Sequence, residues 1–255
     1  MKKVALLLVA FFCSAILLAA PPPPEAKAPS VDDLIARYVK ARGGLAKIRS
    51  VRTLRQQGHV SAGPNRDGRI SRELKSPSST RFEFKVQGVT SVFVSDGKRG
   101  WRVDPMQGDT QPMILPDEVV KEAAEQGDFE GPLVDWKTKG HRIELVGREA
   151  VGDRQAYKLK VTLKSGQVRH DYLDATSMSL IRTESTRLAR GRNVKIVTTF
   201  GNFKKSDGLL FPRTVEVAAE GRPEVMHIDV ESVEVNPPLA DSRFAMPASA
   251  KPLSN

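Results

Sequence analysis

The sequence predicts an α+β protein that is mostly β and is built on an antiparallel sheet. Residues 157–164 alternate apolar side chains with lysine or threonine, which is typical of an antiparallel strand with one face in water. Turn signals recur at short intervals between further apolar runs, and this spacing favours a meander without βαβ units. One amphipathic helix with clear end signals precedes the strands.

That helix begins after Ser30, because Ser30 and Asp33 have the spacing of a capping box. Apolar residues then recur at helical spacing from position 31 and form one face. Gly43 and Gly44 end the helix, where a left-handed cap is expected.

The strands follow in two groups that are separated by a second helix. The predicted strands are 53–62, 70–75, 82–87, 89–95, 100–104, 157–164, 168–173, 180–188, 194–203, 210–217 and 225–235. The second helix begins at Pro116 and ends at Gly127, and residues 132–137 are predicted as a further helical turn. The apolar phase slips between Val230 and Val233, which predicts a β-bulge.

Composition and charge describe a globular protein with a basic surface. The chain has 255 residues, of which 40% are hydrophobic and 27% charged, and its formal net charge is +10. The positive charge is spread over many strands, without a basic helix or an aromatic RNA-binding motif, so we expect no nucleic-acid partner. Such a basic surface can bind anionic lipid or an acidic protein. We expect a monomer.

Residues 1–20 are predicted as a cleavable signal peptide. Lys2 and Lys3 precede an apolar run that is shorter than the roughly 20 residues of a membrane span. We therefore expect a periplasmic protein. Acylation of Cys13, the only cysteine, is a weaker alternative, because two phenylalanines precede it where small residues are required. A Pro-rich leader at 21–29, one domain at 30–248 and a tail at 249–255 complete the predicted organisation.

Several segments occur in an order that resembles a known family. They are the helix end at 38–45, the Ser-Pro turn and Arg-Phe-Glu at 76–83, the Asp-Gly hairpin at 94–105, and the later segments 172–182, 200–212 and 235–244. Together they resemble the LolA-like lipoprotein carriers of the bacterial periplasm. The resemblance implies a strongly curved antiparallel half-barrel sheet, with short helices packed in its concave face and an apolar cavity for acyl chains between them.

One position departs from the family pattern. In the family, a basic residue just before the turn proline helps to hold the helical lid shut, whereas Ser76 stands at the matching position here. That lid contact is therefore not carried over to this chain, and neither is a lipoprotein as the specific cargo.

The candidate wall of the cavity consists of aromatic and aliphatic residues on one strand face and on the inward side of the helices. Phe82, Phe84 and Val86 share a strand face, and Phe93 and Trp101 are expected to join them. The complete set is Leu34, Tyr38, Phe82, Phe84, Val86, Phe93, Trp101, Val119 and Val120. Core packing is the alternative interpretation for each of them.

No residue pattern indicates catalysis. The four histidines lack metal-ligand spacing, and the sequence has no nucleophile elbow, phosphate loop or dinucleotide fingerprint. We expect a non-enzymatic protein without cofactor or metal. The expected function is that of a periplasmic carrier or chaperone, which binds lipid or lipoprotein acyl chains and delivers them toward the outer membrane, with or without a membrane partner protein. A sensor of lipoproteins on the same fold and a hydrolase are the alternatives.

Overall fold

The computed structural model describes residues 28–64, 66–189 and 192–252. The predicted signal peptide, Cys13 and residues 21–27 of the predicted leader lie outside the described residues. The helices are α1 (Val31–Arg42), α2 (Leu45–Arg49) and α3 (Asp117–Gly127). The strands are β1 (Thr53–Ser61), β2 (Asp67–Lys75), β3 (Ser79–Val86), β4 (Val89–Ser95), β5 (Gly100–Asp104), β6 (Asp109–Ile114), β7 (Arg142–Val151), β8 (Arg154–Thr162), β9 (Val168–Asp174), β10 (Leu180–Ala189), β11 (Arg192–Gly201), β12 (Lys204–Ser206), β13 (Leu209–Phe211), β14 (Thr214–Ala219) and β15 (Met226–Val235).

Thirteen strands of the described chain form one antiparallel sheet in the order β6-β5-β4-β3-β2-β1-β15-β14-β11-β10-β9-β8-β7. The pairing of β1 with β15 joins the two halves of the meander. The sheet does not close, because its edge strands β6 and β7 do not pair with each other. The predicted α+β, mostly β, half-barrel is therefore confirmed.

The end signals of α1 and the predicted bulge are also confirmed. Asp33 N donates to Ser30 Oγ over 3.1 Å, and the Asp33 carboxylate accepts from Ser30 N, so both halves of the capping box are present. Gly43 caps the other end at a φ of 124°, a value that favours glycine. In the bulge, Gln57 pairs with Ser232 and Gly58 pairs with Val230, which leaves Glu231 as the extra residue.

Other predicted bounds were wrong. The single strand expected at 210–217 is two strands, because the chain breaks at Pro212, which has no N–H for the ladder. Residues 132–140 form a series of turns instead of a helical turn, and α2, β6 and β7 were missed.

In the predicted tail, Lys251 exchanges backbone hydrogen bonds with β6, donating to Pro112 O and accepting from Ile114 N.

The strand register defines two faces of the sheet, since directly paired residues share a face. Leu54, Leu74, Thr80, Ser95 and Gly100 follow one another across five strands. Leu54 and Leu74 belong to the core that contains the helices, so we call this the inner face.

The main core lies between the inner face and the helices. Residues from α1, α2 and the turn segment after α3 meet residues from β1, β2 and β7–β9 there. Leu34, Leu133, Leu159 and Leu173 are at most 1% exposed. The space between the inner face and helices α1 and α2 is therefore filled by side chains. Any space for a ligand must lie beside this core.

Candidate functional site

Helix α3 bridges the two arms of the half-barrel. On one side it packs closely on the sheet, since a Cβ on Gly127 would lie 2.5 Å from Ser78 O, and only glycine allows this approach. On the other side Glu122 pairs with Arg187 of β10 at 2.5 Å. The helix therefore crosses the open side of the sheet, and space remains beneath its C-terminal end.

That space is a cavity of about 560 Å³, which we call the mouth pocket. Its size falls within the range of about 300–1,000 Å³ that is usual for small-molecule sites. The apolar part of its wall consists of Ile48, Val51, Leu54, Leu74, Pro77, Ala124 and Phe129. The polar part of its wall consists of Arg49, Arg52, Thr53, Ser76, Ser78, Glu125, Asp128, Glu130, Lys139, His141 and Lys164, together with Gly127.

Residues 128–140 cover one side of the mouth pocket, and we call them the cover segment. Arg42 of α1 holds this segment by donating to Phe129 O over 2.8 Å and to Glu130 O over 2.7 Å. Its guanidinium also lies 5.0 Å from the centre of the Phe129 ring.

Two further basic residues fasten the cover segment. Lys139 Nζ lies 2.5 Å from an Asp128 carboxylate oxygen and 3.3 Å from a Glu130 carboxylate oxygen, within the segment itself. Lys137 reaches Asp32 of α1 over 2.7 Å. These contacts hold the two ends of the segment, and Leu133 and Val134 in its middle are buried in the main core.

A second, smaller cavity of about 130 Å³ adjoins the mouth pocket, and Glu125, Asp128 and His141 line both. Burial raises the pKa of Glu125 above its ordinary value, although the Ser165 hydroxyl donates to its carboxylate. Burial lowers the pKa of His141, whose Nδ1 accepts the backbone N–H of Lys164 over 3.0 Å. Both groups therefore favour their neutral forms more than they would in water.

Arg72 is a half-buried cation at the inner face. It donates to Gln126 O of α3 over 2.9 Å and to Gln56 Oε1 over 3.2 Å, and its guanidinium lies 5.5 Å from the centre of the Phe82 ring. No carboxylate pairs with it among the described residues, and burial lowers its pKa to about 10. Ser76, the position matched to the family's basic residue, is exposed. Arg72 thus links β2 to α3, and the sequence analysis did not predict this contact.

Four of the predicted wall residues lie together on the inner face. Phe82 pairs with Phe93 across β3 and β4, and the rings of Phe84 and Phe93 meet edge to face at 6.3 Å between centroids. Val86 follows on the same face of β3 and is 8% exposed. They form an apolar patch, but they do not line the mouth pocket or the smaller cavity beside it.

The predicted position of Trp101 is corrected by the register. Trp101 pairs with Val94 and so lies on the outer face, opposite to Phe82. There it packs with Phe244, and its Nε1 donates to Ala245 O over 3.0 Å. The C-terminal segment thus covers Trp101, which does not share a wall with the phenylalanines.

The predicted wall residues on the helices also lie in different surroundings. Leu34 and Tyr38 are buried in the main core, at 0% and 6% exposure. Val120 is 4% exposed and packs near Gly100. Val119, which was expected to face the sheet, is 39% exposed, because it lies one residue around the helix from Val120.

The sequence analysis missed the residues that line the mouth pocket. Leu54 and Leu74 carry the alternating pattern of strands and could have been found from it. Phe129 lies in the irregular cover segment, where no periodicity marks a wall residue. In the part of the chain that is described, no group of three or more His, Cys, Asp or Glu side chains is placed to hold a metal ion. No described helix is long and apolar enough to span a membrane.

Comparisons with known proteins bear on the fold. The sequence matches no protein-family model. No curated protein matches it either. The structure is similar to that of a LolA superfamily protein from Nitrosomonas europaea, with a TM-score of 0.56 and 14% identity over 86% of this chain and 99% of that chain. The chain has a LolA-like fold.

Two further solved structures have the same fold. A DUF1329 family protein from Desulfovibrio piger has a TM-score of 0.57 and 13% identity over 84% of this chain and 97% of that chain. A domain assigned as an outer membrane lipoprotein-sorting protein, from Vibrio parahaemolyticus, has a TM-score of 0.54 and 14% identity over the same shares. At these identities the likeness is one of fold.

Proposed function

We propose that this protein is a non-enzymatic carrier of lipid acyl chains in the bacterial periplasm. It binds a chain in the mouth pocket and delivers it toward the outer membrane. The observation that carries the proposal is the mouth pocket, an opening of about 560 Å³ with an apolar floor beneath a cover segment that is held by side chains.

The apolar floor favours the binding of an acyl chain. Each methylene that leaves water contributes about 0.8 kcal/mol, so a chain that buries about ten of them gains about 8 kcal/mol before the cost of association. Association offsets at least about 4 kcal/mol of this gain, so the net binding is reversible. A carrier needs this reversibility, because it must release the chain to an acceptor.

The contacts of the cover segment support entry and exit of a chain. Arg42 binds two successive carbonyl groups of the segment, whereas the neighbouring strands are held by continuous ladders. Because Leu133 and Val134 fix the middle of the segment in the main core, opening is confined to residues 128–131. It breaks the contacts of Arg42 and Lys139, and each costs roughly 0.5–3 kcal/mol. The sheet stays intact during such a movement.

The comparisons support the same function at the level of the fold. One similar structure belongs to the LolA superfamily and another is assigned as a lipoprotein-sorting domain. The predicted signal peptide at 1–20 agrees with a periplasmic location. The partners of this proposal are a lipid or an acylated lipoprotein and an accepting membrane protein.

Mass spectrometry of bound lipid tests the proposal. The full precursor is expressed in a bacterial envelope, and the processed protein is purified without detergent and extracted with organic solvent. We expect a lipid or acyl species in stoichiometric amount. A protein without lipid that also fails to bind a fluorescent fatty acid would refute the carrier function and favour a module that binds proteins.

A further inference from the structure

The volume of the mouth pocket limits the number of chains it can hold. At about 560 Å³ it lies in the middle of the range for one small ligand, about 300–1,000 Å³. The main core beside it is filled by Leu34, Leu159 and Leu173, each at 0% exposure, so the pocket cannot extend in that direction. The structure therefore has room for one acyl chain.

The charged residues at the pocket define what the head of such a ligand would meet. Lys139 is paired with Asp128 and Glu130, and Arg49 is paired with Asp135, so all five of these side chains already have a partner. The remaining charged side chains of the pocket wall are those of Arg52, Lys164 and Glu125, beside the titratable His141.

These remaining groups differ in whether they have a polar partner. Arg52 and Lys164 are both exposed, and neither side chain has a polar partner among the described residues. Glu125 accepts a hydrogen bond from the Ser165 hydroxyl at 3.3 Å and so already has a partner. The charged side chains of the pocket wall that lack a partner among the described residues are therefore the two cations, Arg52 and Lys164.

We infer that the ligand of the mouth pocket is a single-chain amphiphile with an anionic head, either a carboxylate or a phosphate, which pairs with Arg52 and Lys164. This inference rests on the proposed function and specifies the ligand class. The chain occupies the floor formed by Ile48, Leu54 and Leu74, and the head stays at the exposed basic side chains.

Calorimetric titration with dodecyl amphiphiles below their micelle concentrations tests the inference. The probes are dodecanoate, dodecyl phosphate, dodecanol and dodecyltrimethylammonium, which share a chain and differ in the head. We expect at least one anionic probe to bind about tenfold more tightly than dodecanol, since two partly exposed ion pairs contribute that much together. The tighter of the two anionic probes identifies the head.

Two double variants of the pocket and a third as a control complete the experiment. Arg52→Gln with Lys164→Gln should reduce the anionic preference to near one, and Arg52→Glu with Lys164→Glu should favour the trimethylammonium probe. Lys98→Gln with Lys205→Gln removes two exposed cations outside the pocket and should leave the preference unchanged.

The outcomes separate the two proposals. Equal binding of all four probes would overturn the anionic head and leave the acyl-chain function intact. Absence of binding for all four would overturn both. A preference that survives in the Arg52 and Lys164 variants would place the head elsewhere and overturn the assignment to these side chains.

Discussion

Filling the mouth pocket from α3 should weaken acyl-chain binding strongly. Ala124 is half-buried and lines the pocket, and leucine at this position retains a good helix former. The substitution Ala124→Leu adds about three carbon groups to the space that a chain would occupy. At about 0.8 kcal/mol for each methylene that the ligand can no longer bury, the loss is about 2.4 kcal/mol, or roughly fiftyfold in Kd.

Displacement of a fluorescent fatty acid measures this loss. Lys121→Leu adds a leucine to the exposed side of the same helix and should leave Kd within about twofold of the unsubstituted protein. Circular dichroism and the thermal midpoint verify that both variants are folded. If the folded Ala124→Leu protein binds fatty acid as tightly as the parent, the mouth pocket is not the acyl-chain site.

Three further predictions concern the sheet, the helix contact and pH. Leu159→Ala, at 0% exposure in the main core, should lower the free energy of unfolding in urea by about 2–5 kcal/mol, and a loss below about 1 kcal/mol would contradict its role. Arg72→Met removes the contact to Gln126 O and should speed amide hydrogen exchange in α3, while unchanged exchange would show that this contact does not hold the helix. Burial lowers the pKa of His141 in the folded state, so the unfolded state binds more protons and stability should fall as pH drops through the unfolded pKa of about 6.5. Part of that fall should be absent in His141→Gln, and an identical pH profile for both proteins would refute this assignment.

Local signals predicted the elements that local physics determines. Ser30 and Asp33 satisfy the first backbone groups of α1 by themselves, so the start of the helix could be read from two residues. The bulge at Glu231 was visible because the side-chain period of a strand is two, and one extra residue changes the apolar phase.

The face of the sheet on which Trp101 lies could not be predicted from the neighbouring sequence. It depends on the register across the β4–β5 hairpin, in which Val94 pairs with Trp101 and Ser95 pairs with Gly100. A shift of one residue would have moved Trp101 to the inner face. The C-terminal segment that covers it arrives from Phe244, more than a hundred residues later, and no local pattern indicates that contact.

The mouth pocket could not be predicted from local patterns either, because segments that are distant in the sequence form its wall. Its wall combines Leu54 and Leu74 from paired strands, Ile48 from a short helix and Phe129 from turns. Strand β7 was missed because a register shift between Leu145 and Gly147 interrupts the alternation that marks a strand. The family resemblance implies the architecture, whereas the position of the pocket depends on where these distant segments meet.

Photo-crosslinking with a fatty acid that carries a diazirine on its chain tests the central claim most directly. After irradiation, peptide mass spectrometry identifies the labelled residues. Binding in the mouth pocket should place the label on Ile48, Val51, Leu54, Leu74 or Phe129, with competition by unlabelled fatty acid. Competed labelling confined to the Phe82–Phe93 patch or to the outer face around Trp101 would contradict the assignment.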